Sequence, residues 1–191
     1  MKDKIRKELK ATRMKLSRSE VLEKSDQIKK RLFEINEFKQ ASTILFYVSY
    51  DNEVFTHDMI KECIKYKNII VPISDKKNRS LILSKLGYWN DLKPGSYGIL
   101  EPRKDRIIPA SVDEIDLIIV PGVVFDENGH RIGHGMGYYD RLLNDSKKVV
   151  HIGLAFEFQI IKSIPFEKHD LPVDKIVTEK RIINCSNKLH V

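Results

Sequence analysis

Four short runs rich in β-branched and apolar residues, at 42–48, 68–73, 115–120 and 149–155, limit the folds open to this chain more than any other feature. Their apolar residues are consecutive rather than alternating, so each strand must be covered on both faces, as in a parallel sheet flanked by helices. The intervals read accordingly. Ile5, Leu9 and Leu16 lie near helical spacing over residues 2 to about 16. Ser17 and Glu20 have the form of a capping box opening a second helix, with Val21, Ile28, Leu32 and Ile35 on one face and an end near Asn36. Phe55, Met59, Cys63 and Ile64 mark a third helix, and Tyr139, Leu142 and Leu143 another. Residues 75–79 form a turn into a hairpin arm at 81–86, residues 86–115 are irregular, and 175–178 and 181–183 are short late strands. Strands alternating with helices predict an α/β protein. We expect one open, largely parallel sheet with helices on both faces, a single domain over residues 1–191, and ligands at the carboxyl ends of the strands.

With 191 residues, 41% of them hydrophobic, the chain can bury one core. Its longest apolar stretches fall far short of the about 18 residues that cross a membrane, and no apolar segment follows the charged N-terminus, so a soluble, non-secreted protein is expected. Cys63 and Cys185 match no metal-ligand or redox spacing, which fits a reducing cytoplasm.

The net charge of +7 is unevenly placed. Residues 1–18 hold eight basic side chains against Asp3 and Glu8, a net of +6, and the rest of the chain holds +1. A uniformly basic surface would suit nucleic acid. One basic segment on a nearly neutral body suits a local grip on an anion or, equally, a solvated helix face.

Chemistry concentrates in residues 121–141, which end in Arg131-Ile132-Gly133-His134-Gly135-Met136-Gly137-Tyr138-Tyr139-Asp140-Arg141. Three glycines at alternate positions directly before a helical pattern let successive amides face one anion, and the helix N-terminus adds partial positive charge. Arg131 offers a bidentate grip on phosphate oxygens. Asp140 offers a carboxylate for a divalent cation bridging phosphates, and Tyr138 and Tyr139 offer rings for stacking on a heterocycle. The spacing is neither the Walker loop nor the dinucleotide fingerprint. A plain glycine turn is the alternative, although such a turn needs none of the flanking side chains.

These residues resemble the signature of the 5-formyltetrahydrofolate cyclo-ligase family. The similarity continues along the chain: Lys2-x-x-Ile5-Arg6 resembles the family's N-terminal Lys-x-x-Leu-Arg, and Glu53-Val54-x-Thr56 its Glu-hydrophobe-x-Thr. Gly98-Ile99-Leu100-Glu101-Pro102 resembles its mid-chain motif and Leu171-Pro172-Val173-Asp174 its late Val-Asp. The resemblance implies the fold of sugar-phosphate isomerases and CoA transferases. It also implies an ATP- and Mg²⁺-dependent ligase that turns 5-formyltetrahydrofolate into 5,10-methenyltetrahydrofolate, releasing ADP and phosphate.

Carried onto this sequence, the family pattern has Lys2, Asp3, Lys4, Ile5 and Arg6 binding ATP with Arg131, Ile132, Gly133, His134, Gly135, Met136, Gly137, Tyr138 and Tyr139. Val48, Glu53, His134, Gly135, Met136, Gly137 and Tyr138 would line the folate site, with Arg131 and Tyr138 catalytic and Asp140 and Asp174 holding Mg²⁺. Met136 stands where many relatives have Gly or Lys, and position 134 varies. The implied partners are ATP and a folate, without nucleic acid or membrane, on a monomer or weak homodimer. Isomerase or transferase chemistry on the same fold lacks an evident general base here, and nucleic-acid binding lacks a basic sheet interleaved with aromatics. His57, His151, His169 and His190 have no partner spacing and read as structural or surface groups.

Overall fold

In the computed structural model, which describes residues 1–167 and 170–185, the expected alternation of strands and helices is present. His169 and His190 lie outside the described residues. In chain order the elements are α1 (Lys2–Met14), α2 (Arg18–Glu34), α3 (Asn36–Gln40), β1 (Thr43–Leu45), α4 (His57–Cys63), β2 (Asn68–Asp75) and β3 (Ser80–Leu86). Three short strands follow, β4 (Leu92–Pro94), β5 (Leu100–Pro102) and β6 (Ile108–Pro109). Then come β7 (Leu117–Val120), β8 (Val124–Asp126), β9 (Arg131–Ile132), α5 (Tyr138–Asp145), β10 (Val150–Leu154), β11 (Ile160–Ile161), β12 (Lys175–Val177) and β13 (Ile182–Asn184).

The main sheet runs β13-β12-β10-β7-β1-β2-β3-β6. Its central strands β12, β10, β7, β1 and β2 are parallel, and β13, β3 and β6 pair antiparallel at the edges. Successive residues of a strand point to opposite faces, which is why the runs are apolar throughout. On one face Ile44, Ile69, Ile119 and Ile152 meet Val21, Ile28 and Leu32 of α2, Phe38 of α3, and Met59 and Ile60 of α4. On the other, Leu45, Ile70, Ile118 and Ile176 meet Leu142 and Leu143 of α5. The capping box of α2 is made as expected: the Glu20 amide donates to Ser17 Oγ at 3.3 Å and the Ser17 amide to Glu20 Oε2 at 2.8 Å. Among the described residues no helix is long and apolar enough to cross a membrane.

Two features were not legible from the pattern. The run 42–48 pairs as a strand only over Thr43–Leu45; Phe46, Tyr47 and Val48 stay buried while the backbone turns away toward a loop. A second sheet, β11-β8-β9, forms from strands of two or three residues, too short to show a period. Its apolar residues Val123, Val124 and Ile132, with Ile164, receive Ile5 and Leu9 of α1, so the basic helix is bound along this small sheet.

Candidate active site

The chain leaves β7 at the carboxyl edge of the sheet and returns through the β8–β9 hairpin, whose turn is built around the buried Asp126. Asp126 Oδ1 accepts from the amides of Asn128 (3.1 Å) and His130 (3.0 Å), and Oδ2 accepts from the Ile164 amide (2.9 Å). That turn sets Arg131, the first residue of β9, against α5: its Nη2 donates to Asp140 Oδ1 at 2.5 Å. The Arg131 side chain is buried, which pulls its pKa down, while the Asp140 charge opposes the shift. Gly135 and Gly137 then take left-handed backbone at φ +94° and +71°, the second forming the N-cap of α5. Arg141 Nη1 donates to the carbonyls of Asn78 (2.8 Å) and Arg79, tying α5 to the β2–β3 turn.

Helix α1 lies over this loop. Arg6 Nε donates to the Gly133 carbonyl at 2.8 Å, and a Cβ at Gly135 would stand 3.6 Å from the Arg6 guanidinium. Lys2 Nζ donates to Asp170 Oδ2 at 2.6 Å. Two cationic side chains and a left-handed glycine turn therefore converge where α5 begins, an arrangement suited to phosphate oxygens.

The loop after β1 supplies the opposite wall. Thr56 Oγ1 donates to the Tyr47 carbonyl (2.7 Å) and accepts from the Ser49 amide (3.0 Å), while the Thr56 amide donates to Ser49 Oγ (3.0 Å). These bonds close the loop and place the buried Glu53. Its Oε1 is 3.0 Å from His134 Nε2, and its Oε2 accepts from the Tyr50 amide at 3.2 Å. A carboxylate oxygen accepts, so Nε2 is the donor to Glu53, and the Tyr50 hydroxyl lies 3.3 Å from Nδ1 of the same ring. Burial, then the Glu53 charge, pushes the Tyr50 phenol up to about 12 and raises Tyr47 and Tyr139 too.

The structure thus brings together Lys2, Arg6, Glu53, Arg131, Gly133, His134, Gly135, Gly137 and Asp140, with Tyr139 under Arg131 at 5.8 Å from its guanidinium carbon. Met136 is exposed on the loop, and Tyr138 opens α5 against a cleft shared with Leu83, Ala110 and Leu142. Val48 and Ile132 lie in the core and Ile5 packs on the small sheet, so their side chains are committed to packing. Lys4 is exposed and Asp3, also exposed, pairs with Arg6.

Asp140 and Asp174 stand in different hydrogen-bonded settings. Asp174 Oδ2 accepts from the His151 amide at 2.7 Å, near the amino ends of β10 and β12, and His151 bonds Ser146 at the far end of α5. Asp140 lies in the first turn of that helix, about 9 Å along its axis from Ser146. Among the described residues no group of three His, Cys, Asp or Glu side chains could hold a metal ion alone. The donor set does fit Mg²⁺ bound through one carboxylate and substrate phosphates, since that ion keeps few protein ligands. Sequence reasoning did not single out Arg13, Tyr50 or Asp170. Arg13 alone had a signal, its position on the same helical stripe as Lys2 and Arg6.

A parallel α/β sheet with cationic side chains, a glycine turn and an ordered carboxylate gathered at its carboxyl edge is the architecture of an α/β enzyme with a site suited to anionic groups. The chain belongs to the 5-formyltetrahydrofolate cyclo-ligase family, whose model matches residues 1–179, and is thereby a ligase. It is 29% identical over 178 residues to a 5-formyltetrahydrofolate cyclo-ligase of Haemophilus influenzae, covering 91% of this chain and 95% of that one. A 5,10-methenyltetrahydrofolate synthetase structure from Aquifex aeolicus superposes with TM-score 0.86 at 32% identity, over 100% of this chain and 95% of the other. A second, from Mycoplasma pneumoniae, shares the fold at TM-score 0.74 and 23% identity, over 93% and 98% of the two chains. The family and the fold class expected from the motifs hold.

Proposed function

We propose that this chain closes 5-formyltetrahydrofolate to 5,10-methenyltetrahydrofolate at the expense of ATP. The γ-phosphoryl passes from ATP to the formyl oxygen and ADP departs, since that oxygen leaves poorly by itself. N10 then attacks the formyl carbon and loses its proton, and the carbon–oxygen bond breaks to release phosphate. Lys2, Arg6 and the amides around Gly135 receive the triphosphate. Arg131, held by Asp140, faces the charge that develops on the transferring group. Glu53 accepts hydrogen bonds from the pterin, and Tyr138 flanks the reacting groups. Mg²⁺ would be held by Asp140 and the phosphates, neutralising their charge.

The observation that best supports this reading is the hydrogen bond between His134 and Glu53. It joins the phosphate loop to the β1 loop directly, so a nucleotide on one and a folate on the other would have their reacting ends adjacent. The proposal extends to a cytoplasmic enzyme acting on small molecules, as a monomer or weak homodimer without nucleic acid. Two free cysteines accord with a reducing compartment. The test is direct: protein, Mg-ATP and 5-formyltetrahydrofolate are mixed and the near-ultraviolet absorbance of the methenyl product is followed. Absence of ATP-dependent product would refute the proposal.

A further inference from the structure

We infer that Arg13 is a positioning residue of the folate side of the site, acting through Glu53 and mounted on the same face of α1 that carries Lys2 and Arg6. The inference deepens the proposed function and rests on it. At about 100° per residue, Lys2, Arg6 and Arg13 fall within an arc of about 40°. Lys4, Lys7 and Lys15 lie on the far side of the helix and are exposed. Arg13 is seven residues beyond Arg6, about 10 Å along the axis. The helix therefore runs the length of the site, with its phosphate-side cations at one end and Arg13 at the other.

Arg13 is 1% exposed and Glu53 5%, and Nη1 of the first is 4.0 Å from Oε1 of the second. Nε and Nη2 of Arg13 have no hydrogen-bond partner among the described residues. An arginine buried only to staple the fold satisfies its donors with carbonyls; this one directs its charge at a single carboxylate. Glu53 is then met from three sides, by Arg13, by His134 Nε2–H at 3.0 Å and by the Tyr50 amide at 3.2 Å. Those contacts fix the carboxylate before a substrate arrives. Asn52 Nδ2 donates to the carbonyls of Arg13 (3.2 Å) and Leu16 (2.8 Å), which ties the Glu53 loop to the end of α1.

A mutant cycle tests this, with R13M, R13K, E53Q and the R13M/E53Q double variant assayed for product formation and for thermal unfolding. Arg13→Met should raise KM for 5-formyltetrahydrofolate at least tenfold and KM for ATP less than twofold, with Arg13→Lys in between. The double variant should be no worse for the folate than E53Q alone, and its Tm should recover most of what either single change loses, because both buried charges leave together. Equal effects on both substrates, or multiplicative effects in the double variant, would overturn the inference. If R13M does not fold, the same comparison is made with R13K and R13K/E53Q, and additive losses count against the pairing. If the parent protein forms no methenyl product, the proposed function fails. The Tm cycle then decides the pairing by itself, with no recovery overturning it.

Discussion

Replacing Asp140 by Asn removes one negative charge while keeping the shape of the side chain, and its cost follows from Arg131. The guanidinium is buried and its Nη2 is 2.5 Å from Asp140 Oδ1, which places the charge centres roughly 4 Å apart. At an effective dielectric of about 20 that attraction is about 4 kcal/mol. The carboxylate is 41% exposed, so water screens part of the interaction and about 2 kcal/mol remains. For a domain of this size, Asp140→Asn should lower Tm by about 4–8 °C. Melting followed by circular dichroism measures the shift, and repeating it in an Arg131→Met background should shrink the drop below about 2 °C, since the buried cation is gone. Turnover in Asp140→Asn should fall about 100-fold or more, with a raised Mg²⁺ requirement. A variant that melts within about 1 °C of the parent, or a drop that persists without Arg131, would refute the charge-pair reasoning.

Arg6→Ala should raise KM for ATP about tenfold or more and leave the folate KM within about twofold, because Arg6 sits on the glycine turn; equal changes in steady-state assays would assign Arg6 a general folding role. Gly135→Ala forces an L side chain into φ +94° beside Arg6, costing about 1–2 kcal/mol and weakening ATP binding, which calorimetry and melting would detect. Unchanged binding and Tm would count against the left-handed turn. Burial pushes the Cys63 thiol up to about 11 and the Cys185 thiol up to about 12. Both stay protonated in the folded protein where the unfolded chain, at 9.0, ionises, so stability declines as pH rises above 9. Thiol-reagent labelling at pH 8 should be slow for the native protein and fast in denaturant, and stoichiometric native labelling within minutes would contradict it.

Local chemistry accounts for what was legible beforehand. The apolar runs specify a sheet buried on both faces, the Ser17–Glu20 box and Gly137 mark helix starts within one turn of themselves, and the residues from Arg131 to Asp140 state an anion site by composition. Periodicity, caps and glycine turns depend on neighbours a few positions away, so sequence alone determined them, together with the family. Only the tertiary structure decided which side chains meet. His134 reaches Glu53 across 81 positions and Arg6 reaches Gly133 across 127, distances over which no local pattern carries information. Asp140 and Asp174 look alike as late acidic residues beside motifs, yet α5 runs back along the sheet and leaves them near opposite ends. Arg13 looked like one more basic residue of a solvated helix. The docking of α1 on a sheet too short to predict turned it inward, because Ile5 and Leu9 had to be buried and the stripe beside them faced Glu53.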